Sequence, residues 1–193
     1  QLGGDYYDVI PVNENEVIFC IADVSGKGVS AAYLMANLQA NLHALVNHTD
    51  YSLKDIVEEL NEKVNRSARG EKFITMFIAK LNFKAGTMRY INAGHNPPIL
   101  LNNSELYLLE KGCIGLGMLE EIPALQEGNV KLRKETVVLC YTDGLTELEN
   151  PNKEEFGVER LAQVLLDNGN TPTDLLNNTI ISAMNDFKGT APY

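Results

Sequence analysis

Aspartates stand in this sequence at points where the backbone can aim them. Asp23 follows the apolar run "VIFCIA", Val17 to Ala22, and Asp143 follows "TVVLCY", Thr136 to Tyr141, with Gly144 beyond it. Asp5 and Asp8 stand behind Gly3-Gly4 in "GGDYYD". A carboxylate at the end of a buried strand is carried by rigid backbone, and one beside glycine can swing toward a shared point. Carboxylate oxygens gathered this way suit hard divalent cations such as Mg²⁺ or Mn²⁺, which favour octahedral oxygen coordination. One Asp-Gly after a strand is ordinarily a turn or a cap. The repetition of the pattern lifts the metal reading above that.

Competing chemistries fit less well. A phosphate loop needs a glycine five residues before Gly26-Lys27 and a hydroxyl residue directly after the lysine; those positions hold Ile21 and Gly28. A dinucleotide fingerprint lacks its third glycine. "GGDYY" superficially matches a diguanylate cyclase signature, but it opens the chain and is followed by the wrong elements. Cys20, Cys113 and Cys140 are widely spaced and match no metal-binding pattern. Cys20 and Cys140 sit in strand-like apolar runs, which suggests buried reduced thiols and a reducing compartment.

The elements that must position the aspartates follow from periodicity. Val17 to Ala22 reads as a buried strand. Ala31, Leu34, Met35, Leu38, Leu42, Leu45 and Val46 recur at helical spacing over Val29–Val46. Ser52 and Asp55 form a capping box for a second helix, to about Ser67, with Leu53, Ile56, Val57, Leu60 and Val64 as its stripe. Strands are expected at Phe73–Phe83, Thr87–Ala93, Pro98–Leu101, Glu105–Leu109, Val130–Leu132 and Thr136–Tyr141. Helices close the chain at Val158–Asp167 and Pro172–Phe187, the latter capped by Thr171. Hairpins outnumber βαβ units, so an α+β architecture of sheets covered by helices is expected.

The 193 residues suggest one domain, 1–193, with 45% apolar content and a net charge of −10. Without a basic run, the charge argues against a nucleic-acid partner, and an acidic chain that handles phosphate needs metal ions to do so. No apolar run reaches the roughly 20 residues needed to cross a bilayer. The first residue is Gln1, and the chain reads as a fragment of a longer signalling protein.

Taken together, "GGDYYD", "IADVSGKGVSAAYLMA", "NAGHNPPILL", "GLGM" and "YTDGLTE…FG" resemble, in order and spacing, the SpoIIE-type, RsbU-like branch of the PPM (PP2C-like) phosphatases. The resemblance runs from Gly3 to about Phe187. It implies a four-layer αββα sandwich of two antiparallel sheets, each covered by a helix pair. It implies a bacterial, cytoplasmic protein serine/threonine phosphatase acting in sigma-factor regulation through two Mn²⁺ or Mg²⁺ ions and a metal-activated hydroxide. Asp23 resembles the bridging ligand, Val24 the carbonyl ligand, Asp143 a second-metal ligand, and Asp5 the carboxylate of the first motif. Asp8 resembles a water-mediated neighbour.

The implied partner is a phosphorylated STAS-type anti-sigma-factor antagonist, with a sensor or receiver domain upstream in the parent chain. The Val29–Val46 and Ser52–Ser67 helices are expected to relay signals or mediate a homodimer. Against the family pattern, the final Asp-Asp motif does not occur before Tyr193. That departure keeps open a catalytically idle binding module in partner-switching signalling. Ser25 stands where some relatives carry an acid histidine. His95 is expected to order its loop, with Pro97 and Pro98 stiffening the exit. His43 and His48 read as helix residues, and Lys27 as either a phosphate contact or a solvated turn lysine.

Overall fold

The structure, a computed structural model, describes residues 4–48 and 51–191. Gly3 of the first motif and the terminal Tyr193 lie outside the described residues. The chain divides into two compact units, 1–97 with 109–132 and 98–108 with 133–193.

The first unit is built on strands β1 (Tyr6–Asn13), β2 (Glu16–Val24), β3 (Ile74–Asn82), β4 (Thr87–Ala93), β7 (Gly112–Cys113) and β8 (Gly128–Lys131). Their order is β1-β2-β3-β4-β7, with β8 also on β4. All pairs are antiparallel except β4 with β7, so the expected antiparallel sheet has one short parallel pair. A parallel pair needs a long crossover, and the chain between Ala93 and Gly112 supplies it through β5 (Ile99–Asn102) and β6 (Glu105–Leu108).

Helices α1 (Val29–Val46) and α2 (Leu53–Ala68) cover one face of this sheet. The buried residues of α1 are the seven that its spacing predicts. In α2 the stripe gains Asn61, only 3% exposed. Its amide is fully used: Nδ2 donates to the carbonyls of Leu119 (3.1 Å) and Glu120 (3.0 Å), and Oδ1 accepts from the Gly117 N–H (2.8 Å). A buried polar group without such partners would cost free energy. The predicted capping box is present, with Ser52 and Asp55 bonding each other reciprocally.

β1 has no counterpart among the expected strands. Its Pro11 argues against a central strand, but Pro is tolerated at a sheet edge, and β1 is the edge. Being an edge, it buries little: Tyr7 is 81% and Val9 63% exposed. Tyr6, Asp8 and Ile10 alternate toward the helices. There the Asp8 carboxylate accepts from the Tyr6 hydroxyl (2.6 Å) and the Val9 N–H (2.7 Å) and pairs with His43 Nε2 on α1 (2.7 Å).

The second unit holds a three-stranded antiparallel sheet, β6-β5-β9, in which β9 is Val137–Leu139. The β5–β6 turn is made by Asn103 and Ser104, both at positive φ (52° and 65°), as a two-residue hairpin turn requires. Helices α4 (Gly157–Asn168) and α5 (Thr173–Lys188) pack Leu161, Leu165, Leu176 and Ile180 with Ile99 and Leu101 of the sheet. Pro172, rather than Thr171, occupies the N-cap of α5. Phe187 stands edge-on to Phe156 at 5.3 Å, with the Arg160 guanidinium 4.6 Å above its ring. The fold is therefore α+β, with a helix pair on each sheet. No helix among the described residues is long and apolar enough to cross a membrane.

The bonds from Tyr6 and then His43 hold the Asp8 carboxyl below its ordinary value of 3.8. Its contribution to stability is accordingly full above that value and lost as pH falls through the folded-state pKa. Asp8→Asn keeps the shape and removes the charge. At pH 7 the variant is expected to lose about 1–2 kcal/mol in urea unfolding. The gap to the parent should narrow as pH drops below 3.8, and an unchanged gap in acid would show that charge is not what Asp8 contributes.

Candidate metal centre

Asp23 lies inside β2, one residue before its end, rather than just beyond a shorter strand. β2 pairs with β3 so that Asp23 faces Thr75 and Val24 faces Ile74. Side chains alternate along a strand. Ala22 and Val24 enter the core beneath α1 and α2, so Asp23 points to the other face. On its far side β2 pairs with β1, Tyr6 opposite Ala22, and the bond from Val24 N–H to the Gly4 carbonyl (3.4 Å) carries that register beyond β1. Asp5 thereby stands opposite Asp23. Directly opposed residues share a face, with Cβ atoms about 5 Å apart. Asp5, Asp23 and Thr75 form a row across three neighbouring chain segments.

Gly4 shows why the first motif needs a glycine there. A Cβ on Gly4 would lie 3.0 Å from the Val24 carbonyl oxygen and 3.1 Å from Asp23 Oδ1. Those two oxygens border one space, and Gly4 is the residue that leaves it free. An exposed Asp5 follows directly. Two carboxylates and a backbone carbonyl make a hard-oxygen donor set, which matches the way Mg²⁺ is bound through one or two carboxylates while keeping several waters.

The turn after Asp23 is held by the segment leading into β3. Ser25 N–H donates to the Phe73 carbonyl (2.9 Å), Phe73 N–H donates to Ser25 Oγ (2.9 Å), and Lys72 Nζ donates to the Ser25 carbonyl (3.0 Å). Ser25 thus serves as a structural acceptor. Gly26 and Gly28 have φ of 84° and 95°, a region that L side chains rarely adopt, which accounts for the two glycines around Lys27. Lys27 itself is exposed. The cation placed against the turn is Lys72, which no sequence pattern singles out.

Asp143 belongs to the second unit. It is not at a strand end: β9 stops at Leu139, and Asp143 is the exposed first residue of the short helix α3 (Asp143–Thr146). An acid in a first helical turn is favoured by the helix dipole, and the Asp143 carbonyl accepts from Glu147 N–H (2.8 Å). Asp8 is not part of the row, since it faces the opposite side of the sheet. No three His, Cys, Asp or Glu side chains among the described residues group closely enough to hold a metal ion.

His95 is 5% exposed. Its N–H donates to Asn92 Oδ1 (2.8 Å), its carbonyl accepts from Asn92 Nδ2 (3.0 Å), and its Nδ1 lies 3.0 Å from Thr75 Oγ1. Thr75 carries no motif signature, and Asn92 opens the "NAGHNPPILL" motif without any sign there of the bonds it makes, so only the folded chain shows both roles. The thiols offer no nucleophile. Burial pushes Cys113 up to about 11 and Cys140 up to about 12, and the thiolate is the reactive form.

Gly4→Ala should weaken Mn²⁺ binding about 10-fold, the added methyl displacing both oxygens, at about 1 kcal/mol in stability. Titration followed by electron paramagnetic resonance of free Mn²⁺, with urea unfolding alongside, checks both; unaltered affinity would remove Gly4 from the site. Cys113 and Cys140 should alkylate with iodoacetamide at pH 7.5 about 100-fold more slowly than in the unfolded chain, as peptide mass spectrometry can measure.

The model of the SpoIIE family, "Stage II sporulation protein E (SpoIIE)", matches residues 13–192. The phosphoserine phosphatase RsbU of Bacillus subtilis is 29% identical over 154 residues, covering 79% of this chain and 45% of RsbU. The chain therefore spans under half the length of that relative. The solved RsbU and RsbW domains of Rv1364c from Mycobacterium tuberculosis superpose with a TM-score of 0.81 at 25% identity, over 97% of this chain and 52% of that one. The SiaA-PP2C domain of Pseudomonas aeruginosa superposes with a TM-score of 0.85 at 17% identity, over 99% and 76%. With an Asp5–Asp23 row on a PP2C-like fold and a family match across nearly its whole length, the chain belongs to the SpoIIE family of PP2C-type phosphatases.

Proposed function

We propose that this chain is a metal-dependent protein serine/threonine phosphatase that hydrolyses phosphoserine or phosphothreonine on a regulatory protein. The observation that carries the reading is the space beside Gly4, bordered by Asp23 Oδ1 and the Val24 carbonyl, with Asp5 next in the chain. Asp5, Asp23 and the Val24 carbonyl would hold Mn²⁺ or Mg²⁺, and Asp143 would serve a second ion. Bound there, the ions supply a water of lowered pKa and neutralise charge on the phosphoryl oxygens.

The chain's own residues do the rest. β2 holds Asp23 on rigid backbone, and the Ser25–Phe73 and Lys72 bonds keep the Val24–Ser25 turn from moving when a dianionic phosphate arrives. Preorganisation of this type is worth several kcal/mol, because nothing need reorganise as charge develops. The net charge of −10 works against a phosphorylated partner at long range, so affinity must come from the metals and local cations. The kinship to RsbU supports a phosphorylated STAS-type antagonist as substrate, a sensor or receiver domain upstream, and a cytoplasmic setting.

A second reading has one observation in its favour. No three acidic, histidine or cysteine side chains among the described residues gather as a ready metal site. That suits a PPM-like module that binds its partner without hydrolysis.

Hydrolysis of p-nitrophenyl phosphate by the parent chain separates the two. The phosphatase reading expects turnover that requires Mn²⁺ and falls at least about 100-fold in Asp23→Asn. A folded parent that stays inactive with Mn²⁺ would favour the binding module. Equal activity in parent and variant would remove Asp23 from the centre.

A further inference from the structure

The "NAGHNPP" segment has no assigned chemistry in the reading above, yet it meets β3 at Thr75, the residue paired with Asp23. Buried Asn92, 4% exposed, grips the His95 backbone at both its N–H and its carbonyl, and also donates to the Leu109 carbonyl (3.2 Å). Gly94 (φ 66°) leaves no room for a side chain, since a Cβ there would lie 2.8 Å from the Gly115 nitrogen. The loop is therefore held on both sides, and the His95 backbone is fixed beside β3.

That placement puts Nδ1 at 3.0 Å from Thr75 Oγ1. Thr75 is the cross-strand partner of Asp23 and shares its face of the sheet. Its hydroxyl also reaches the Asp23 carbonyl at 3.5 Å. A threonine hydroxyl has one proton and two lone pairs. With the proton on the Asp23 carbonyl, the hydroxyl oxygen accepts from His95 Nδ1–H, and the three groups form a single directed chain.

We propose that His95 and Thr75 are positioning residues for Asp23: the ring holds the threonine hydroxyl, and the hydroxyl holds the backbone and neighbouring side chain of the carboxylate. The inference rests on Asp23 being a metal ligand. Groups that orient a ligand without touching the metal typically change its affinity 10- to 100-fold when removed, so the effect belongs in metal binding before turnover.

The test measures Mn²⁺ affinity by the resonance of the free ion, with turnover recorded separately, in the parent, Asp23→Asn, Thr75→Val, Thr75→Ser, His95→Ala and His95→Asn. Valine keeps the shape of threonine without its hydroxyl, serine restores the hydroxyl, and asparagine sets an amide near the place of Nδ1. Thr75→Val and His95→Ala should each bind Mn²⁺ about 10-fold more weakly. Thr75→Ser and His95→Asn should stay within about 3-fold of the parent. The double variant Thr75→Val/His95→Ala should be no weaker than the worse single one, because both cut the same chain. If His95→Ala fails to fold, the Thr75 pair decides alone.

Parent-like Mn²⁺ affinity in Thr75→Val, with binding lost in Asp23→Asn, overturns this inference and leaves the metal reading standing. A His95→Asn protein that binds Mn²⁺ normally but turns over poorly also overturns it, since the ring would then touch the reacting groups. A folded parent that binds no Mn²⁺ overturns both.

Discussion

Everything at the candidate centre depends on the register of β2 against β3. Nine consecutive residue pairs, Glu16 with Asn82 through Val24 with Ile74, hold it without a break. Because side chains alternate, a slip of one residue would turn Asp23 under α1 and α2 and lift Ala22 and Val24 out of the core. The register is strongly specified for the same reason. Ala22, Val24, Ile74 and Met76 are all nearly fully buried on the helix side, so any slip would replace apolar burial with a buried carboxylate. The hydrophobic face of the strand is what aims its polar end.

The acids at positions 5 and 8 are three residues apart and meet opposite fates. Asp8 is fully engaged locally, with Tyr6, the Val9 N–H and His43 around its carboxylate. Asp5 continues the strand register to a place across from Asp23. Two carboxylates on directly opposed residues, with Cβ atoms about 5 Å apart, repel in a chain that already carries a net charge of −10. A divalent cation between such groups relieves that repulsion, whereas histidine and tyrosine donors already occupy the oxygens of Asp8. The first motif therefore holds one acid that fastens a strand to a helix and one acid kept available.

Glycines in three separate motifs serve close approach rather than flexibility. Gly4 leaves space beside Asp23 and the Val24 carbonyl, and Gly94 lets the His95 loop lie against Gly115. Gly117 (φ 82°) sits where a Cβ would strike Val64 of α2 at 2.6 Å. Its N–H is taken by Asn61, and Leu116 is bonded both ways with Ile74 (2.9 and 2.8 Å), the strand partner of Val24. The Gly4–Asp5, "AGH" and "GLG" segments thus converge on the β2–β3 pair.

The sequence alone determined the class of fold, both amphipathic helices of the first unit, the capping box at Ser52, and the placement of Asp23 on a buried strand. Each rests on a local rule: 3.6-residue periodicity, a side chain bonding its own helix end, or a carboxylate after a buried run. It did not reveal β1, because an edge strand with a proline and one exposed face buries too little to leave a clear apolar pattern. Asp143 was read at a strand end, but the strand stops short and the residue opens a helical turn, since the run "TVVLCY" cannot itself say where sheet pairing ends. Lys72 and Thr75 carry no sequence signal, and Asn92 opens the "NAGHNPPILL" motif without any sign of what it bonds. Their roles come from strand pairing and loop packing between residues 17 to 52 positions apart, and contacts over such separations leave no periodic trace in the chain. Tertiary structure decided which polar groups stand around Asp23, because only pairing across strands makes them neighbours.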